Sequence, residues 1–396
     1  MDKLLHLIWA DWAVGQVNGV RGGGRTRIYQ DESHNERRLT QWGSRDRWRY
    51  MSHALLNTGE WWSSWQVPNH PIQGMTFVMA TTGYRLPDVI MDIALDVEGR
   101  GEYTYVVRRV AKQKQMLAKD IPVMHAPWYA LDPEDPRMIG YDYSTPNYVM
   151  GSLMIDPSLP RVSSHLYKDG KDLPEGYPAL TSQNRYHGIV FVSDVNARVV
   201  PQCEGLANGK TYGEQQAVQY KNVLLVQRHA MAKTTGDMRV IWGGKGMRSR
   251  IVERSGWQII REGNTWLGVK GFSRTKSNAS CGSSWDNDVI LRMNDGKAPV
   301  ALIAGRIKDF SNIDAFAKYL QGFAGKLEDG RFILTEGSKD FLSLHLESGA
   351  LPEIYGKPIN LNPDMLFDSP FISSKHGSGV VTIDKGHRKL KIDMGF

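Results

Sequence analysis

From residue 101 onward the chain is cut into short apolar runs. GIVFVSD, NVLLVQRH, MRVIW, WQIIR, TWLGVKGF, VILRM, VALIAGR, RFILT, FLSLHL and GVVTID follow one another, separated by Gly, Asn, Asp and Ser. Valine, isoleucine and aromatic side chains suit a pleated, half-buried surface, and the separating residues suit tight turns. Such regular short strands predict a large antiparallel β-sandwich, opening at EYTYVVRRVAKQ, which is rich in Tyr and Val with alternation.

Before that point the period changes. Leu4, Leu7, Ile8 and Trp12, with Leu5 and Trp9 alongside, recur at helical spacing and predict a helix over 2–17. A glycine-rich loop, Gly19 to Gly24, follows; further helices are expected near 44–57 and 70–80, and Pro87 opens another at DVIMDIALDV. The expected fold class is therefore α+β. Helical hairpins over 1–98, part of an α/α toroid, precede an antiparallel β-sandwich over 99–396, with a softer break near 274–286 where SRTKSNASCGSSWD is polar and turn-rich. One helix, NIDAFAKYLQGF, interrupts the strands, with Ser311 as N-cap and Ile313, Phe316, Ala317 and Leu320 as a core stripe. A helix that opens at Met1 with almost no cap needs something to pack on. We therefore expect a further N-terminal region of a longer protein, or a partner subunit.

Composition and motifs narrow the function classes. With 41% hydrophobic and 23% charged residues the chain has globular rather than disordered character. No stretch approaches the roughly 18 apolar residues of a membrane span, so no membrane partner is expected. Asp11 interrupts the first apolar run and no small-x-small site follows, so no secretory signal peptide is read there. The 49 basic against 42 acidic residues, net +7, favour an anionic partner. Helix-turn-helix, zinc-finger and RNP-like signatures are absent, so no nucleic-acid partner is expected, and on charge alone an anionic polysaccharide fits equally well. Cys203 and Cys281 have no partner at metal-like spacing, so no metal is expected; one disulfide and two free thiols stay open. No P-loop, nucleophile elbow, His-Glu-x-x-His or dinucleotide fingerprint occurs, and no cofactor is expected.

Three segments gather polar chemistry. GVRGGGRTRIYQDESHNERR joins a flexible glycine loop to Arg21, Arg25, Arg27, Tyr29, Asp31, Glu32, His34 and Arg37. Glycines allow close backbone approach to a ligand, and arginines offer forked donors for carboxylate or sulfate. A tyrosine flanked by arginines has its phenolate stabilised, which suits a general base; the alternative is a solvated loop of ion pairs. YDYSTPNYVMGS places Tyr141, Tyr143 and Tyr148 around Pro146, to line a cleft or to pack at a strand entry. LTSQNRYHGIVFVSD runs Gln183, Asn184, Arg185 and His187 into a buried-looking strand. There Asn and Arg suit a carboxylate, and His187 suits proton transfer near neutral pH. Trp42, Trp48, Trp61, Trp62 and Trp65 offer either helix–helix packing or flat faces for sugar rings.

The layout resembles the heparinase II/III-like polysaccharide lyases, on the stretches GVRGGGRTRIYQ, STPNYVMGS, SQNRYHGIVF, SGWQIIREGNTWLGVK and SPFISSKHGSGVVTI. That resemblance implies an α/α toroid followed by stacked β-sheets, with the cleft between them. It implies β-elimination at a uronic acid and a secreted or periplasmic setting. Tyr29 and His187 would be the catalytic pair. Asn184, Arg185 and Arg25 would hold the uronate carboxylate, and Arg27, Tyr143 and Trp42 would contact the glycan. The family's Asn-His pair on a helix has no counterpart in this chain. A glycoside hydrolase using Asp31 and Glu32 with Asp142 or Asp194 opposite, and a non-catalytic carbohydrate-binding module, are the alternatives.

Overall fold

Strand follows strand once the apolar runs begin, and what distinguishes one from the next is how many of its faces are covered. The computed structural model describes residues 2–14, 16–17, 20–21, 83–96, 98–106, 138–155, 157, 189–193, 198–200, 215–228, 238–243, 250–272, 276–277, 287–293, 298–346 and 348–395. Among them are three helices: α1 (Asp2–Val14), α2 (Asp88–Ala94) and α3 (Ile313–Gln321). The rest is chiefly antiparallel sheet, in one sheet of twelve strands, one of six and one of five.

The six-stranded sheet is the middle layer. Its hydrogen-bonded order is Val252–Arg254, Trp257–Glu262, Thr265–Gly271, Val300–Arg306, Val223–Arg228 and Gln215–Tyr220. Side chains alternate between faces along each strand. Leu224, Val226, Ile260, Leu267, Val269, Val300 and Leu302 join Tyr148, Met150 and Val240 of the twelve-stranded sheet in one core. Val223, Leu225, Trp257, Ile259, Trp266, Ala301 and Ile303 join α3 and the five-stranded sheet in another. Both faces of its central strands are therefore dry, and VALIAGR and NVLLVQRH read as continuous apolar runs for that reason.

The twelve-stranded sheet carries its own helical cover. Tyr103 and Tyr105, on strand Gly101–Val106, pack with Trp9, Ala10, Ile90 and Ile93 of α1 and α2 and with Ile372, Ile383 and Ile392 of the C-terminal strands. Arg100, 5% exposed, turns its guanidinium back on the carbonyls of Ile93 and Ala94, the last turn of α2. The Ile93 carbonyl also accepts from Asp96 N at 3.2 Å, and the guanidinium covers the carbonyl end of the helix where the chain turns toward the strand. Burial lowers the Arg100 pKa to about 10.

Two local expectations shift. α1 ends at Val14 rather than at 17, because Gln16 and Val17 pair with Arg21 and Val20 as a short hairpin. Gly15 weakens the helix at that point, while Val17 and Val20 favour extended backbone. The N-cap of α3 is Asn312 rather than Ser311: its Oδ1 accepts from Ala315 N at 2.9 Å, with extended backbone at φ −152°. The stripe below it stands, with Phe316, Ala317 and Leu320 buried. Asn312→Ala is expected to lower stability by about 1 kcal/mol, read as a drop in thermal midpoint, whereas Ser311→Ala should leave it within experimental error.

Candidate functional site

The tyrosine-rich segment folds as strand, turn, strand. Met138–Ser144 and Tyr148–Ile155 pair antiparallel, and Thr145 holds the turn between them. Its Oγ1 accepts from Asn147 N at 3.2 Å and Tyr148 N at 3.0 Å, and its backbone N–H donates to Tyr148 O at 2.8 Å. Serine and threonine hydroxyls serve tight turns in this way. A second turn, Lys221–Asn222, joins strands Gln215–Tyr220 and Val223–Arg228 of the middle sheet and meets the strand that leads into the first turn. Lys221 N donates to the Tyr141 hydroxyl at 2.9 Å, and Thr265 Oγ1 donates to Asn147 O at 3.3 Å.

Around this junction stands a cluster of phenols and paired charges. Tyr143 is half-buried, its ring centroid 6.3 Å from that of fully buried Tyr148. Arg306 lies at the end of its strand and grips Asp309 with both forks, Nε to Oδ2 at 2.7 Å and Nη2 to Oδ1 at 2.9 Å. Lys221 Nζ stands 3.7 Å from Glu102. Asn222 Nδ2 donates to Ala304 O at 2.7 Å and to the Tyr319 hydroxyl at 3.3 Å. Two cations and two carboxylates leave the cluster without net charge.

Burial decides the protonation states. It raises the Tyr143 pKa more than Arg306 and Lys221 lower it, with Glu102 and Asp309 adding to the rise. Tyr148 and Tyr319 are raised for the same first cause. All three are therefore neutral phenols at neutral pH and poorly suited to remove a proton, and half-buried Tyr143 is the one placed to donate to a ligand oxygen. Arg306 is raised by its hydrogen bond to Asp309 and stays charged. Among the described residues, no group of three or more His, Cys, Asp or Glu side chains could hold a metal ion.

Of the residues expected from sequence, Tyr143 lies in this cluster. Tyr29, His187, Arg25, Arg27, Asn184, Arg185 and Trp42 lie outside the described residues, as do Asp31, Glu32, Asp194 and both cysteines. Asp142 lies within them and is 0% exposed, on the opposite face of its strand from Tyr143 and beside its cross-strand partner Tyr103. Arg306, Asp309, Lys221, Glu102 and Tyr319 were not singled out from sequence. Lys221–Asn222 between apolar runs signals a turn, but nothing local says which strand it meets.

The anchors of the two polar segments are described. The strand Gln16–Val17 of the short hairpin, which leads toward Arg25 and Tyr29, lies against strand Tyr148–Ile155. On the same strand, Ser152 pairs with Ile189, two residues past His187. Comparison with family models, with curated proteins and with solved structures finds no match to this chain.

Proposed function

We propose that the protein is a polysaccharide lyase that cleaves a uronate-containing glycan by β-elimination. The observation that carries this reading is the shared anchor: strand Tyr148–Ile155 receives both the hairpin that leads into the arginine–tyrosine loop and the strand that follows His187. In the scheme, Arg25, Asn184 and Arg185 neutralise the uronate carboxylate. Tyr29 or His187 takes the proton from the carbon α to it; the electron pair forms a carbon–carbon double bond as the β-carbon–oxygen bond breaks. The leaving oxygen takes a proton from a tyrosine. The α proton is weakly acidic, so donors preorganised at the developing enediolate supply the largest share of the acceleration. Arg27, Trp42 and Tyr143 hold the chain of sugars, and α1 and α2 form the closing part of an α/α toroid.

The direct test is ultraviolet absorbance from unsaturated uronate when the folded protein meets a panel of acidic polysaccharides. Absence of signal on every one of them overturns the lyase reading. Reducing ends released without that absorbance would instead mark a hydrolase, although Asp142 is too deeply buried to serve as one of its two carboxylates. The neutral phenols around Tyr143 also fit a purely sugar-binding role, and binding without any turnover would favour that second reading. For Tyr143→Phe, loss of one hydrogen-bond donor is expected to raise KM roughly two- to tenfold with kcat little changed, since about 0.5–1.5 kcal/mol of uniform binding is removed.

A further inference from the structure

The hairpin of strands Glu353–Ile354 and Lys357–Pro358 turns through Tyr355 and Gly356, with φ of 51° and 71°. Two-residue turns of this kind favour Asn-Gly or Asp-Gly, and Asp329–Gly330 follows that rule elsewhere in the chain. A bulky tyrosine in the left-handed region is a strained choice. Burial does not account for it, since Tyr355 remains 46% exposed. Its ring sits 5.0 Å from Phe341 and meets Tyr220 edge-on at 5.9 Å, while its hydroxyl donates to Glu336 Oε2 at 3.2 Å. A second strained turn converges on the same ring: Lys221 has φ of 51°, and its ammonium stands 5.1 Å from the Tyr220 centroid. Lys357, the residue after Gly356, is exposed.

We propose that Tyr355, Tyr220 and Lys221 form a glycan-holding platform that shares Lys221 with the cluster around Tyr143. A sugar ring lays its C–H face on the Tyr355 ring; an acidic substituent meets the exposed Lys357 ammonium and competes with Glu102, 3.7 Å away, for that of Lys221. The strained backbone holds an aromatic side chain at a hairpin tip, where a sugar chain reaches it. That the ligand is an acidic glycan rests on the lyase reading; the aromatic platform itself does not.

Tyr355→Asn separates ligand binding from folding, because asparagine is better suited to the turn than tyrosine. The thermal midpoint is expected to hold or rise, and affinity for polygalacturonate, alginate or hyaluronan, measured by calorimetry, to fall about tenfold. Lys221→Asn, also compatible with its turn, should weaken binding and flatten its salt dependence. Unchanged affinity in both variants overturns the platform, and so does the absence of wild-type binding to all three polymers. A lower midpoint with unchanged affinity would show that Tyr355 is there for packing alone. Should wild type bind through Tyr355 yet produce no unsaturated uronate, the platform stands and the lyase reading falls. If it cleaves while neither variant alters affinity, the reverse holds.

Discussion

Tyr29→Phe is expected to cut turnover on a uronate polysaccharide by about 10²–10⁴-fold, the usual contribution of a positioned proton acceptor or donor. The substitution removes one oxygen and keeps the ring, so affinity for the polymer should change by no more than a few fold. Arg25 and Arg27 precede this tyrosine in sequence, and the proposed scheme has it take a proton, whereas burial raises the Tyr143 pKa and keeps that phenol protonated. That contrast makes the experiment sharper: Tyr143→Phe should act on KM and Tyr29→Phe on kcat. His187→Gln should resemble Tyr29→Phe, and the double variant should lose far less than the product of the two losses, because the pair acts as a unit. The rate of rise in ultraviolet absorbance measures all three. Wild-type turnover in Tyr29→Phe would remove the tyrosine from the mechanism.

Gly140→Ala is expected to cost about 3 kcal/mol of stability, the upper end of what overpacking usually costs. A Cβ at residue 140 would stand 2.1 Å from two atoms of the Tyr105 ring, which lies flat across the glycine. Tyr105 is 0% exposed and its ring centroid is 5.2 Å from that of Tyr103, whose hydroxyl bonds Asp11 of α1. The ring has nowhere to go except into the layer formed by Trp9, Ala10, Ile90 and Ile93. Chemical denaturation should show the loss, and hydrogen exchange should show α1 and α2 losing protection first. Gly83→Ala is the control: a Cβ there meets nothing within 4 Å, and the midpoint should not move. Equal midpoints in the two variants would mean that the ring yields easily.

The middle sheet was the most readable part of the chain. VALIAGR, TWLGVKGF and NVLLVQRH have apolar side chains on both faces, and each forms a strand where its run lies. Strands with polar or exposed surfaces were harder to see. Gln215–Tyr220 contains three glutamines, two of them buried and hydrogen-bonded, so polarity conceals its burial. Phe323–Glu328 is exposed after its first residue and carries almost no apolar pattern. Met138–Ser144 mixes Gly, Asp and Tyr because one face meets helices and the other a sheet. The site followed the same logic. Tyr143 announced itself through neighbouring tyrosines, but Arg306 and Lys221 come near it only because the packing of two sheets brings distant parts of the chain together. Likewise, Tyr355 looks ordinary in sequence, and only its backbone conformation sets it apart.

A sheet with no wet side also constrains how the chain can be handled. Any fragment that lacks either neighbour would present to water a plane of valine, leucine and isoleucine with strand edges open to pairing. Pieces that carry strands of this sheet without the layers on either side should therefore aggregate rather than fold. Three strata joined through a shared middle layer ought to melt as a single cooperative block, so the thermogram should show one transition where the count of sheets would suggest several.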